Sequence, residues 1–418
     1  MNFRILVCAG MALATTACDQ MITIRRNSQE GFTTDRADRA MQSATGLLQS
    51  GTDGAGDHAC AVRFLRSGSV PTFTGPNTIT TDTQMNQVLG VTTARAKVVH
   101  EITRCGGVTN VNIIGCARQG TMVVEDVVDN DNSTGSALEG PMWAHEFGHT
   151  QGLAHRTDNN SINVMNRSIG ANSRVISETE CLSFGSPQLA AGSAATSSGV
   201  PEPSPTPAPR GERMPVREFA RQIFVDSMPI DEIMQYGRAD VPELVAMLES
   251  EDDRAHWPMA ATMLGIIGGE GADTLLIDFI ERGRSGRVER SDYAAIRSAI
   301  VALGYQLAAT DSPRALDYLW SGTDPSTWQS KRSMRWTSRI TPDAERRNVR
   351  LSMYAVMALG VSGSADGMQM LRARWDDWSS RASAFGADTR TEMMALLEQA
   401  MDDNARVAAE GLEGYYAE

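Results

Sequence analysis

The chain has 418 residues, too many for one typical core, so two domains joined by a linker are expected. Apolar residues make up 41% and charged residues 21%, the balance of a globular rather than a disordered protein. A formal charge of −13 argues against nonspecific nucleic-acid binding, which needs clustered positive charge, so no nucleic-acid partner is expected.

The chain opens MNFRILVCAGMALATTACDQ, with one early cation at Arg4, then an apolar run, then small residues. That is the pattern of an export signal, and the run is too short to cross a membrane as a helix. Residues 1–18 are therefore read as a signal peptide. Cys18, after Thr15, Thr16 and Ala17, resembles the lipidated cysteine of a bacterial lipoprotein, although the usual Leu three places upstream is missing. Cleavage after Ala12-Leu13-Ala14 is the alternative. The protein is expected outside the cytoplasm, either lipid-anchored at Cys18 and facing the periplasm or exterior, or secreted. Residues 19–56 are polar and without periodicity, and read as a tether or a poorly ordered lead-in.

Residues 57–185 hold the next unit. His58 to Phe73 contains AVRFLRSGSV, which alternates well enough for a strand. Thr81 to Thr103 reads as a helix, with Met85, Val88, Leu89, Ala96, Val99 and Ile102 on one face. Val108 to Ile114 and Thr121 to Val128 read as strands, and a helix is expected from about Pro141, a good first helical residue. The stretch DNDNSTG, Asp129 to Gly135, puts oxygen ligands at alternate positions. It is a candidate Ca2+ loop or an ordinary polar loop held by Asx-turns.

Apart from Cys8 and Cys18, all the cysteines lie in this unit. In an exported domain two disulfides are expected: Cys105 with Cys116 around a turn and strand, and Cys60 with Cys181 between first strand and last helix. A free pair is the alternative, and Cys60 is also placed where a thiolate capping a metal is conceivable. His58, His100 and His256 stand alone in the sequence and read as surface or satisfied histidines.

The stretch HEFGHTQGLAH, from His145 to His155, holds three of the six histidines. On a helix, residues four apart share a face, so His145 and His149 can offer nitrogens to one point. Gly152 suits a helix end, because glycine tolerates positive φ, and the returning chain can bring in His155. Three neutral imidazoles with an open fourth position suit Zn2+. Glu146 stands next to the first ligand, within reach of a water at that open position.

This stretch matches the metzincin pattern HExxHxxGxxH at every fixed position, and residues 57–185 resemble a metzincin (matrixin-like) zinc metalloprotease domain. The resemblance implies an α+β fold with a mixed twisted sheet and an active-site helix. It implies Zn2+ on His145, His149 and His155, with Glu146 as the general base. Met165, ten residues after His155 in INVMN, resembles the methionine of the family's tight turn beneath the ligands. Residues 121–125 look like the family's edge strand along the substrate, and Ser177 to Phe184 like its short closing helix. Arg156 and Arg167 leave the subfamily open.

Residues 186–213 turn to Ser, Ala and Gly and then PEPSPTPAPR, an extended semi-rigid spacer and a domain boundary. Residues 214–418 carry an imperfect repeat, with Leu-Gly at 264, 303 and 359, each read as a helix end followed by a turn and a second helix. The unit resembles a HEAT-type all-α solenoid, which implies a place for a protein partner or substrate. An insertion near Ser321 to Arg347 holds Trp328, Trp336, Lys331, Arg332, Arg335 and Arg339, either a contact loop or tryptophans packed on the solenoid.

The whole reads as an exported zinc-dependent endopeptidase acting on a protein or peptide substrate. The rival is a catalytically idle zinc-domain lipoprotein that works as an adhesion or scaffold protein through its solenoid.

Overall fold

The computed structural model describes residues 18–50, 60–127, 133–156, 162–170, 173–185, 213–225, 228–282, 290–329, 344–380 and 386–417. The first part is mixed α/β. It runs β1 (Cys18–Ile22), β2 (Ile24–Asn27), α1 (Thr34–Ser50), β3 (Val62–Arg66), β4 (Thr72–Phe73), β5 (Thr78–Ile79) and α2 (Asp82–Leu89). Then come β6 (Ala96–Val99), β7 (Glu101–Ile102), β8 (Arg104–Cys105), β9 (Val108–Thr109), β10 (Gly115–Arg118) and β11 (Thr121–Glu125). The part closes with α3 (Ser133–Thr150), β12 (Ser168–Ile169) and α4 (Glu178–Gly185).

The main sheet has the order β10-β11-β6-β2-β4; β10 is antiparallel to β11 and the other pairings are parallel. Beta6 is buried at all four positions, as a central parallel strand must be. Among the described residues no helix is long and apolar enough to cross a membrane.

Several expectations are corrected. Residues 19–56 are not a tether as far as they are described: β1 pairs with β3, β2 lies inside the main sheet, and α1 packs on α3. The apolar stripe of α1 is Ala37, Ala40, Met41, Ala44 and Leu48, mostly alanines, which composition registers as neutral. Arg36 fixes that helix by reaching Asp126 at 2.6 Å and Glu139 of α3 at 3.5 Å. The helix expected over 81–103 stops at Gly90; a Thr81–Gln84 capping box starts it, and β-branched residues carry the chain into β6. Of 108–114, only Val108–Thr109 is a strand, in a hairpin with β8. The strand read over 58–73 is two, β3 and β4. The helix expected from Pro141, α3, begins eight residues earlier, and Pro141 sits inside it. The residues 121–125 are not an edge, because β10 covers them through the turn at Gly120 (φ +81°). Beta10 is the edge.

The second part is helical apart from β13. It comprises α5 (Val216–Ala220), β13 (Ile223–Phe224), α6 (Ile230–Ile233), α7 (Val241–Glu249), α8 (Trp257–Ile267), α9 (Ala272–Glu281) and α10 (Arg290–Thr310). It continues with α11 (Pro313–Gly322), α12 (Pro325–Gln329), α13 (Ala344–Gly360), α14 (Ala365–Ser380) and α15 (Ala387–Tyr416). Helices end at or near two of the three Leu-Gly pairs, α13 at Gly360 and α8 two residues past Gly265, whereas Gly304 lies inside α10; all three glycines are contact points. A side chain on Gly265 would strike Ala302, one on Gly304 would strike Ala358, and one on Gly360 would come within 3.1 Å of Ala400. Thus α8, α10, α13 and α15 stack in succession at close range. Trp328 is buried in this core, its indole N–H donating to the Gly322 carbonyl at 2.7 Å. The rest of the insertion, Trp336, Lys331, Arg332, Arg335 and Arg339, lies outside the described residues, as does the spacer 186–212.

The helical part is seated on the first part through buried polar contacts. Arg104, 1% exposed, pairs with Asp82 at 2.9 Å and with Asp403 of α15 at 2.7 Å. Tyr415 accepts from the Thr109 amide at 2.9 Å, and Tyr416 donates to the Thr109 carbonyl. Glu101 meets Arg297 of α10 and the Tyr354 hydroxyl of α13.

Candidate metal centre

The three histidines converge. His149 Nε2 lies 3.0 Å from His145 Nε2 and 3.2 Å from His155 Nε2. A tetrahedral zinc with Zn–N bonds near 2.05 Å separates its nitrogens by about 3.3 Å, so these two spacings fit, and all three nitrogens lie within 4.8 Å of one another. The tautomers fit as well. His145 Nδ1 lies 2.7 Å from the Val164 carbonyl, and His149 Nδ1 lies 2.7 Å from the Leu153 carbonyl. A carbonyl oxygen only accepts, so both Nδ1 atoms carry the hydrogen and both Nε2 atoms turn lone pairs towards one another. Lone pairs facing at this range repel, and a shared cation relieves them. Among the described residues no other set of three or more His, Cys, Asp or Glu side chains converges this way.

The chain reversal that brings in His155 follows from Gly152, at φ +85°. Leu153 N–H bonds back to the Gly148 carbonyl at 3.2 Å and Gly152 N–H to the His149 carbonyl at 3.0 Å. This is a Schellman closure, and only a residue content with positive φ completes it. Met165 is fully buried and lies against Gly148, between the two helical ligands; any side chain at 148 would collide with its sulfur. The Arg156 amide donates to the Met165 carbonyl at 2.7 Å, tying the residue after His155 to the methionine segment.

Glu146 is fully buried, and its carboxylate lies against Gly115 at the start of β10, where a Cβ would overlap it. Sequence reading passed over Gly115, Gly148 and the carbonyls of Leu153 and Val164. Two glycines at short-range contacts leave no sequence pattern, and carbonyls leave none at all. It also left Arg156 without a role. Its guanidinium grips Glu180 at 2.8 and 2.6 Å, and Glu180 forms a capping box with Ser177 at the start of α4. Burial opposes the charge of Glu180, but the bonds from Arg156 and Ser177 prevail and lower its pKa.

Both expected disulfides are present. Cys60–Cys181 ties the segment before β3 to α4 with Cα atoms 5.4 Å apart, and Cys105–Cys116 ties β8 to β10 at 5.8 Å. Cys60 is thereby no metal ligand. Cys18 begins β1, but its side chain lies outside the described residues, as do residues 1–17. So do Asp129–Asn132 and the side chains of Ser133–Gly135, which covers the candidate calcium loop. His100 sits 3.7 Å from Glu30, and His256 is partly buried, its pKa lowered by that burial and by Arg221; His58 is outside the described residues. No protein-family model, curated protein or solved structure matches this chain, so the convergence of His145, His149 and His155 carries the functional reading by itself.

Proposed function

We propose that the chain is an exported zinc-dependent endopeptidase of the metzincin type, with a HEAT-like helical part that binds substrate or a partner. The observation that carries this is the convergence of the Nε2 atoms of His145, His149 and His155, with the Val164 and Leu153 carbonyls against the Nδ1 atoms of the two helical rings. Zinc held there by His145, His149 and His155 supplies Lewis acidity, which polarises a scissile carbonyl and brings the pKa of water towards neutrality.

The chain's own residues do the rest. Glu146 takes a proton from the attacking water on a carboxylate oxygen and delivers it to the departing amine nitrogen. Its burial beside Gly115 fixes that carboxylate, so the proton moves without a search. The Val164 and Leu153 carbonyls hold the imidazole tautomers, and Met165 gives the rings a soft apolar floor.

Zinc content and peptide hydrolysis, with and without chelator, test this. Glu146→Gln should keep zinc bound while hydrolysis falls by about 10²–10⁴-fold. Unchanged hydrolysis in that variant would end the mechanism, and absence of zinc from the purified chain would end the reading.

A further inference from the structure

One short segment of the helical part lies within the first part. Ile223–Phe224 pairs antiparallel with Ser168–Ile169, three residues past Met165. The next residue, Val225, accepts at its carbonyl from the amides of Ile114 at 2.8 Å and Gly115 at 3.2 Å. Those amides point away from β11 at the open edge of the main sheet, and Gly115 is the residue that abuts Glu146. Val225 is fully buried, and it belongs to the core of the first part, with Met165, Ile169, Ile176 and Phe184, rather than to that of the helices.

An extended peptide presented to Glu146 needs backbone partners, and a free sheet edge supplies them. Here that edge already has one. We propose that Ile223–Val225 is an intramolecular occupant of the substrate groove between β10 and β12, which holds the peptidase latent until the helical part shifts. This rests on the peptidase reading above. The contacts on either side support it: Asn112, two residues before Ile114, is held by Thr262 at 3.0 Å and by Ser298 at 2.8 Å. The helical part therefore grips the approach to the edge strand as well as filling it. The groove's preference follows from its occupant: an extended peptide with a β-branched aliphatic side chain in the pocket that Val225 fills.

The test uses the full zinc-loaded chain, Val225→Asp to expel the segment, and Val225→Thr, nearly isosteric, in case the charged variant fails to fold. Three measurements are made: amide hydrogen exchange at Ile114 and Gly115, binding of a fluorescent ARQIFV peptide (residues 220–225), and hydrolysis of quenched peptides. In the unaltered chain both amides should exchange slowly and ARQIFV should not bind. Val225→Asp should free the amides, bind ARQIFV and raise hydrolysis about ten-fold or more, as expected when a minor competent population becomes dominant; Val225→Thr should move the same way by less. Freed amides without ARQIFV binding, or with unchanged hydrolysis in an otherwise active chain, would overturn the inference. If no form cleaves any peptide, the peptidase reading fails. Exchange and ARQIFV binding then still decide whether the groove is filled from within.

Discussion

His145 and Val164 are joined by an imidazole N–H and a carbonyl oxygen 2.7 Å apart, across nineteen residues of chain. That bond sets the tautomer of the first of the three converging histidines, and Val164 sits next to Met165, which packs on Gly148. Ligand, methionine and glycine are therefore one mechanical unit.

Gly148→Ala tests that unit. The added methyl would press on the Met165 sulfur and lie 3.2 Å from the Phe184 ring. We expect destabilisation of about 1–3 kcal/mol from overpacking. Zinc affinity should fall roughly 10–100-fold, as when outer-shell support is lost. Thermal unfolding and competition with a chelating dye measure the two effects.

Arg104→Ala should destabilise the whole chain by about 3–5 kcal/mol, because Asp403 would be left buried without its guanidinium. A fragment ending near residue 186 removes Asp403, Tyr415 and Arg297 together, stranding Arg104 and Glu101. It should be recovered aggregated or unfolded by circular dichroism.

Acid should loosen the same interface. Burial opposes ionisation of Glu101, but Arg297, Arg350, His100 and the Tyr354 hydroxyl prevail and hold its carboxyl down at about 2. The folded value lies below the unfolded value of about 4.3, so this stability is complete above that pH and is lost as pH falls towards 2. The loss should reach about 3 kcal/mol. Glu101→Gln should be less stable at pH 7 and show a flatter decline in melting temperature between about pH 4.5 and 2.

Replacing Cys60 and Cys181 together by Ser opens a loop of 121 residues in sequence separation. On the chain-entropy account this costs about 4–5 kcal/mol. Because Cys181 adjoins Glu180, hydrogen exchange should rise first in α4, with the salt link to Arg156 failing alongside.

The histidines were readable because helical spacing and one glycine bring three imidazoles together locally; the Val164 carbonyl that orients His145 was not. Four cysteines in that unit pointed to two disulfides, but they allow three connectivities, and the structure selects Cys60–Cys181 and Cys105–Cys116. The sheet was less readable. Ala96, Val99 and Ile102 recur at helical spacing, yet the first two belong to β6, whose neighbours Ile24 and Val124 come from opposite sides in sequence, and Ile102 belongs to β7, which pairs with Ile79 of β5. The stripe of alanines on α1 hid a core helix in a polar stretch. The seating of the helical part could not be read from either half, since Arg104 and Asp403 stand 299 residues apart.

The helical stack meets the first part along its length: Val225 ahead of it, Thr262 and Ser298 at Asn112, Arg297 and Tyr354 at Glu101, and Tyr415 with Tyr416 at Thr109. The pitch of the stack is set by the successive joints at Gly265, Gly304 and Gly360. Stack and first part therefore mesh like a rack and its teeth, and a methyl group added at one joint would put the contacts beyond it out of register.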